Sequence, residues 1–521
     1  MSVPIVIDSN ITGLSYAEEE SLATLSGTPT FYALEPNSYN DFGGKFTAVA
    51  REPIIASRQK LQGSLTTLEA NAGFTSDLTQ HNLKKLLQGF FFAALRESPS
   101  NNPVNGTQNP ITGVTVSTNT TFAAAAGLAT VGVTNRLVKL TGFNGALNTG
   151  LQVVNSGSAT TVVITGALTV EAAPPTTATI KVVGQQGASG DFTLAVSGGG
   201  IVTLNSTALD FTTLPLTQGQ WVYVGGDTAA SKFLNAANTG YARISTITAH
   251  VITFDIVLFA AVADAGTAKT VQIFFGDVLR NEQPSLIVRR TYTLERTLGI
   301  NSGVGSLTQA EYVLGAVPNE CTLTVNQASK ITCDTTFVGM NYQYNDSLTG
   351  LLASGTRTNV AAPGEAALNT SSCVYATRLY VVNTATSTTT PLYAYIDDMK
   401  VVINNNIKGD KAIGVLGNIE ASVGDFAVSL TASAYFTNVD AMQAIVNYQV
   451  CAAQLLLANN NMGMALDIPQ VQISGGLNKV EKNKPIMADL TGEASMCPNG
   501  YTAMLNFFEY LPTAAMPVVV V

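Results

Sequence analysis

The sequence is poor in charged residues, which occupy 12% of its 521 positions, whereas soluble domains carry charge at about a quarter of theirs. Lysine and arginine number 26 against 35 aspartates and glutamates, so the net charge is −9. A protein that grips nucleic-acid phosphates needs a basic excess, and that class is therefore excluded. Compositional disorder is excluded as well, because 46% of the residues are hydrophobic.

The sequence also contains no run of about 18 apolar residues, the length that a membrane-spanning helix needs. Residues 1–14 lack the basic start and the long apolar core of a signal peptide. We therefore expect neither a membrane segment nor a cleaved leader.

Residues for catalysis are scarce. Only two histidines occur, and the nucleophile elbow, the phosphate-binding loop and the HExxH zinc motif are all missing. No cysteine pair has CxxC spacing, so we expect buried thiols kept reduced in a cytosol. The five are Cys321, Cys333, Cys373, Cys451 and Cys497. The sequence predicts no enzyme, no cofactor, no metal, and no catalytic or binding residues.

Four titratable residues are candidates for a site: Asp397, Asp398, His81 and His250. Asp397 and Asp398 are adjacent, and neighbouring residues of a strand point to opposite faces, so they cannot converge on one metal without a bulge. His81 is predicted to be solvated early in a helix, and His250 to lie in a turn.

Three further segments have simple structural interpretations. The glycine clusters at 198–200 and 475–476 lack the strand–loop–helix frame of a phosphate cradle, and we expect hairpin turns there. Residues 479–484, KVEKNK, carry both signs of charge and predict a charged turn.

Charge is distributed unevenly along the chain. Residues 98–135 contain no charged residue and begin with the turn-rich string SPSNNPVNG. Charge stays sparse to about residue 190 and recovers near Arg280. This contrast predicts an insertion over about residues 100–282.

The insertion contains an internal repeat. The triplet Asn-Thr-Gly occurs at 148–150 and again at 238–240, each time after an apolar strand and before two short alternating strands. The pattern predicts two small immunoglobulin-like β-units, at 101–190 and 191–282. Two units are too few for a solenoid.

The flanks are mostly β. Period-two alternation predicts strands at 286–296 and 422–436. Two strands around a turn at 326–329 are expected within 321–344, and a hairpin broken at 459–461 within 455–473.

Two short helices complete the prediction. One spans Asp77–Leu95, with Asp77 and Gln80 as a capping pair and apolar residues at helical spacing. The other begins at Thr437 with Asp440 at the matching position and Met442, Ile445 and Val446 on one face. The predicted class is mainly β, an α+β layering in which helices cover a sheet.

Both flanks resemble tail tube proteins of long-tailed, non-contractile phages. In residues 35–92 the resemblance is carried by Ala50-Arg51-Glu52-Pro53-Ile54, Arg58, Gly63, Gly73-Phe74, Asp77-Leu78-Thr79 and Leu86-Leu87-Gln88-Gly89-Phe90. In the second flank it is carried by Tyr292-Thr293-Leu294-Glu295-Arg296, Tyr312-Val313-Leu314-Gly315, Pro318-Asn319, Ile403-Asn404-Asn405-Asn406, Gly414, Val423-Gly424-Asp425-Phe426 and Ala434-Tyr435-Phe436. These motifs occur in the order typical of the family.

The resemblance implies a tail-tube β-sandwich formed by residues 1–100 and 283–521, whose strands contribute to a multi-chain β-barrel. Residues 345–390, rich in Thr, Ser and Ala, form an extension in which we find no resemblance to this family. The implied subunit is made in the bacterial cytoplasm and assembles with itself into stacked hexameric rings in the virion. Its implied partners are the tape measure, tail terminator and tip proteins; genomic DNA passes through without tight binding, and no membrane is involved.

Three hypotheses follow. The lumen should be lined by Asp, Glu, Asn, Ser and Thr, since lysine and arginine would hold the DNA. The insertion should lie outside the tube, so that deleting about residues 106–280 leaves assembly intact. The C-terminal residues 516–521 should either add a strand to a neighbouring subunit or fold back locally.

Two other functions compete with the tube subunit. A surface adhesin or spike would use the repeated β-units for attachment, and a β-sandwich hydrolase would need a carboxylate or histidine cluster. Electron microscopy separates them, because only the tube subunit forms tubes of uniform diameter.

Overall fold

The computed structural model describes residues 9–57, 59–300, 308–345, 350–382, 389–393, 395–436, 439, 442–443 and 446–518. Strands dominate, as the sequence predicts, and helical segments are short. Four of these are 3₁₀ turns, at Ser9–Ile11, Phe211–Thr213, Pro284–Leu286 and Thr513–Ala515.

The first flank contains a few strands and one helix. They are β1 (Gly13–Glu18), β2 (Thr30–Leu34), β3 (Pro36–Tyr39), β4 (Gly43–Arg51), β5 (Leu61–Asp77) and α1 (Leu87–Phe91). The predicted helix over 77–95 is wrong in extent, because Asp77 ends a strand and only 87–91 are α-helical. Asp77 and Gln80 do not cap it: the Gln80 amide donates to the carbonyls of Gly463 and Phe508 instead. These tertiary contacts replace the first helical turns.

The insertion contains its own sheet. Its strands are β6 (Ile111–Val116), β7 (Thr120–Ala124), β8 (Arg136–Thr141), β9 (Gly150–Gly157), β10 (Thr161–Ile164), β11 (Thr179–Gln186), β12 (Thr193–Val196), β13 (Val202–Asn205), β14 (Trp221–Val224), β15 (Gly240–Ile247), β16 (Val251–Val257) and β17 (Gln272–Phe274). Their spatial order is β12-β13-β16-β15-β14-β17-β11-β8-β9-β10-β7-β6.

That order repeats. Strands β6 to β11 are arranged 6-7-10-9-8-11, and strands β12 to β17 are arranged 12-13-16-15-14-17, the same order six strands later. The two halves join where β11 pairs antiparallel with β17. The internal repeat seen in the sequence is therefore a structural duplication.

In each repeat a buried asparagine side chain makes the same two hydrogen bonds to the backbone of a second loop. The Asn148 side chain donates to the Thr169 carbonyl at 2.9 Å and accepts from the Thr169 amide at 3.0 Å. Asn238 makes the same pair with Val262, at 2.9 and 2.8 Å. The asparagine of the Asn-Thr-Gly triplet thus holds a loop in place, and we call its two hydrogen bonds the asparagine clamp. The glycine of the triplet has positive φ in both copies, 74° and 154°.

The remaining strands belong to the second flank, apart from β18, which precedes residue 283 but pairs with β33 of that flank. They are β18 (Asp277–Arg280), β19 (Tyr292–Ile300), β20 (Thr308–Asn326), β21 (Thr332–Gly339), β22 (Asn341–Asn345), β23 (Thr358–Val360), β24 (Val374–Val382), β25 (Thr389–Pro391), β26 (Ile396–Asn404), β27 (Lys408–Asp410), β28 (Glu420–Ser422), β29 (Ala427–Tyr435), β30 (Cys451–Asn459), β31 (Met462–Lys479), β32 (Met487–Ala494) and β33 (Met504–Phe508).

Most strand predictions in this flank are confirmed. The β20–β21 turn and the β30–β31 hairpin lie where predicted, with Asn460 and Asn461 at positive φ in the latter. The strand expected from Leu286 begins only at Tyr292, because Pro284–Leu286 forms a 3₁₀ turn and Leu286 is exposed. For the helix predicted at Thr437, that residue, Asp440 and Ile445 lie outside the described residues.

Seven strands form what we call the face sheet, in the order β5-β21-β20-β26-β29-β32-β31. A second layer, the middle sheet, contains β24, β30, the first half of β31, β33 and β18. Apolar side chains of both layers and of α1 pack between them as the main core. Among the described residues, each of these sheets is open.

The middle sheet is buried on both sides. Along β30, Leu455 and Leu457 belong to the main core, whereas Ala452, Leu456 and Ala458 point the other way into a junction core. That junction core is completed by insertion residues, including Trp221, Tyr223 and Tyr241. The insertion therefore packs on the side of the middle sheet opposite the face sheet.

Candidate functional site

The outward side of the face sheet is one continuous polar surface, which we call the polar face. One row of directly paired residues crosses all seven strands: Asp77, Thr332, Thr324, Lys400, Thr431, Thr491 and Ser474. The neighbouring row is Thr75, Asp334, Thr322, Val402, Ser429, Glu493 and Gln472. Because the side-chain period of a strand is two, the intervening residues enter the core.

The polar face carries more acid than base. Its carboxylates are Asp77, Glu320, Asp334, Asp398, Asp489 and Glu493, and its amino groups belong to Lys400, Lys479 and, from the turn between β20 and β21, Lys330. A hydrogen bond and ion pair from Lys479 lower the pKa of Asp489. For Asp77 burial works against ionisation, but Lys330 and Asn37 outweigh it and lower the pKa. Asp489 and Asp77 therefore stay charged at neutral pH.

A hairpin of β4 and β5 extends beyond the body of the protein. Strand β4 pairs only with β5 among the described strands, and β21 stops pairing with β5 at Ala70. Apolar side chains are exposed along this hairpin and its tip: Phe46, Val49, Ile54, Ile55, Leu61 and Leu65. Exposed apolar clusters of this kind mark interaction surfaces.

A second apolar surface lies at the opposite end of the face sheet, where β26 and β32 begin and β29 and β31 end; we call it the lower patch. Its exposed side chains are Tyr395, Val439, Val446, Tyr448, Val450, Val480 and Ile486. The Phe436 amide donates to the Ile486 carbonyl at 3.0 Å, which joins two parts of this patch.

The junction with the insertion contains a buried ion cluster. The Lys84 ammonium lies 2.6 Å from Asp277 and 2.5 Å from Glu509, and Lys181 of the insertion lies 2.5 Å from Asp277. Burial opposes ionisation of Glu509, but Lys84, Lys181 and His81 outweigh it and hold its pKa well below the usual range. The cluster ties one repeat of the insertion to both flanks.

The other repeat has an ion cluster of its own. Arg243 lies 2.9 Å from Asp255 and 3.2 Å from Asp467 of the middle sheet, and the Tyr501 hydroxyl donates to Asp467 at 3.3 Å. Burial raises the pKa of Asp467 despite the guanidinium beside it. The insertion is thus packed and ion-paired to the flanks rather than tethered by its ends.

The model of the phage tail tube protein family matches residues 178–494 of the chain, which is more than half of its length. The chain belongs to the phage tail tube protein family. The match runs from β11 to β32 and therefore includes the polar face apart from β5. The resemblance at 35–92 lies outside the matched residues, and no curated protein matches the chain.

The tail tube family is structural, and the titratable residues Asp397, Asp398 and His250 make structural contacts or lie in a turn. Asp398 accepts from the Ser433 amide at 3.2 Å on the polar face, while Asp397 accepts from the Tyr435 hydroxyl at 3.5 Å. His250 is exposed in the turn between β15 and β16, as predicted.

The prediction that His81 is solvated is wrong. Its imidazole pairs with Glu365 and, at 2.8 Å, with Glu509. Burial opposes protonation, but these carboxylates outweigh it and raise the pKa of His81 to about 9. No local pattern signals this pairing, because Glu365 and Glu509 are far away along the chain.

The glycine clusters differ from each other. Residues 198–200 form the predicted turn between β12 and β13, but Gly475 and Gly476 lie inside β31 at a register shift against β32, with Gly476 at φ 95°. The predicted hairpin turn at 475–476 is therefore wrong, since a bulge uses the same glycine freedom. Residues 480–484 connect β31 to β32, as the charged-turn prediction requires.

All five cysteines of this tail tube protein are buried and free. Among the described residues, no group of His, Cys, Asp and Glu side chains could hold a metal ion. The same part of the chain contains no helix long and apolar enough to span a membrane.

Proposed function

We propose that this chain polymerises as stacked rings, sixfold by its resemblance to non-contractile tail tubes, into the conduit for genome ejection. The observation that carries the proposal is the polar face, an ordered surface seven strands wide that no apolar segment covers in the part of the chain that the structure describes. In the tube this surface lines the lumen, and the insertion, which packs on the far side of the middle sheet, lies outside.

The chemistry of the polar face suits a conduit. Threonine, serine and carboxylate side chains offer no cation to release counterions from a passing duplex, so DNA gains little affinity there. The excess of carboxylates repels phosphate. Lys479 is paired with Asp489, which leaves Lys400 as the cation nearest the centre of the surface.

The edges of the face sheet suit contacts within a ring. Among the described strands, residues 472–479 of β31 pair only with β32, and β3 and β4 pair only with β5. Pairing of these edges between neighbours would continue the sheet and remove unpaired backbone groups.

The two apolar surfaces suit contacts between rings. The hairpin and the lower patch lie at opposite ends of the face sheet, so they can meet when copies stack head to tail. Such a contact is heterologous and non-closing, which is what produces a filament. The tape measure, terminator and tip proteins would then meet the lumen and the tube ends.

Labelling of assembled protein tests both the tube and its orientation. Thr431→Cys places a thiol on the polar face, and Thr112→Cys is the matched control on the insertion; both threonines are exposed and the native thiols are buried. After biotin-maleimide, streptavidin–gold should decorate T112C tubes along their length and T431C tubes only at their ends. Monodisperse particles would instead favour an adhesin or a hydrolase, and gold along T431C tubes would refute the lumen assignment.

A further inference from the structure

Two thiols meet in the main core beneath the polar face. Cys321 lies on β20 and Cys333 on β21, and their Sγ atoms are 3.2 Å apart. The register pairs Cys321 with Thr335 and Leu323 with Cys333, so the two cysteines are diagonal neighbours on the same side of the sheet. Strand twist shortens one of the two diagonals, which brings such side chains together.

We propose that Cys321 and Cys333 are a site of disulfide formation that links the adjacent strands β20 and β21 of the face sheet after the protein leaves a reducing compartment. The oxidant is a low-molecular-weight disulfide. One cysteine thiolate attacks it to form a mixed disulfide and release one small thiol. The second cysteine displaces the other small thiol, so that two S–H bonds are lost and one S–S bond is gained.

The surroundings allow the short movement that the bond needs. A disulfide requires the sulfurs at about 2.05 Å, so each must shift by roughly half an ångström. An apolar cavity of about 20 Å³ is lined by both cysteines together with Leu78, Phe91 and Leu466. Among the described residues, none of the other three cysteines is hydrogen-bonded to a second cysteine, which singles out this pair.

The same surroundings make the reaction slow. A hydrogen bond with Cys321, then burial, raises the pKa of Cys333, so little thiolate exists at neutral pH. Reaction with an oxidant also requires local opening of the sheet. The thiols therefore survive synthesis in a thiol-rich cytosol and react during the longer life of a released particle.

The test counts free thiols. Native protein is held with glutathione disulfide at pH 8, unfolded, alkylated with N-ethylmaleimide and weighed. We expect the number of alkylated cysteines to fall from five to three, with a peptide joining residues 321 and 333, and a rise in Tm of a few degrees.

Variants separate this pair from a general oxidation. Cys373→Ser should oxidise as the wild type does, whereas Cys321→Ala and Cys333→Ala should each keep all four remaining thiols and show no rise in Tm. Five alkylated cysteines in the treated wild type would overturn the proposal, as would a linked peptide that contains a different pair.

Discussion

The two repeats of the insertion share a skeleton but differ in what covers them. Both have the same strand order and the same asparagine clamp. Strand β15 of the second repeat is buried over Gly240–Arg243, whereas the equivalent start of β9 in the first repeat is only half-buried. Strand β15 is more buried because the second repeat packs into the junction core, to which it contributes Trp221, Tyr223 and Tyr241. Duplication thus preserved the internal hydrogen bonds while the outer faces diverged to fit their neighbours.

The largest expected effect on solubility and stability comes from deleting one repeat at a time. Both deletions can be closed over short distances, because Asn102 donates to Ala178 and Gly187 donates to Val271. Deleting 188–270 should abolish soluble protein, since it uncovers Tyr380, Leu456 and Phe508 and leaves Asp467 without Arg243. Deleting 106–177 should leave soluble but less stable protein.

Solubility and electron microscopy of the two deletions measure this contrast. The sequence predicts that deletion of residues 106–280 leaves tube assembly intact. We expect instead that this larger deletion abolishes soluble protein, as the deletion of residues 188–270 does. Equal solubility of the two single deletions would show that the repeats contribute equally to the junction.

A single substitution should sharpen the same contrast. Arg243→Met leaves the fully buried Asp467 without its cation, and breaking a buried pair in this way costs about 3–5 kcal/mol. The position 90 residues earlier is the half-buried Val153, where Val153→Ala should cost about 1 kcal/mol. Urea midpoints of the two variants against wild type provide the measurement; a smaller loss for R243M than for V153A would contradict the assignment.

The pH dependence should be confined to the ion cluster of the first repeat. The pKa of His81 is about 9 in the folded protein, above its value of 6.5 when unfolded. Its contribution is therefore fully present below pH 6.5 and is lost as the pH rises through 9, a change of up to about 3 kcal/mol. Thermal unfolding from pH 6 to 10 should show this loss in wild type and a flatter profile in His81→Gln. The same slope in both proteins would rule out His81 as its origin.

The smallest expected difference is between the two clamps. Asn148→Ala and Asn238→Ala each remove two hydrogen bonds to a part-buried backbone amide and carbonyl, so both should lose about 1–2 kcal/mol and agree within about 0.5 kcal/mol. Paired Tm measurements check this. A clearly larger loss for one asparagine would mean that the clamp has taken on a different role in that repeat.

Local patterns predicted much of the secondary structure. Alternation in 427–435 identified β29, and the asparagines at 459–461 marked the turn before β31, because these signals depend on residues close in sequence. The prediction of a helix over 77–95 was wrong because the side chains of Gln80 and His81 bond to residues more than 280 positions away. The hairpin turn predicted at Gly475 and Gly476 was wrong because a bulge within a strand requires the same backbone freedom as a turn.

The sequence by itself determined the strand-rich class, the duplication within the insertion, the shortage of charge and the family resemblance, since each is a matter of composition or local spacing. Only the tertiary structure decided that outward side chains from seven strands form one polar face, that Lys84 and Arg243 pair across the junction, and that two cysteines touch. Those outcomes depend on strand register and on contacts between distant segments, which no local pattern specifies.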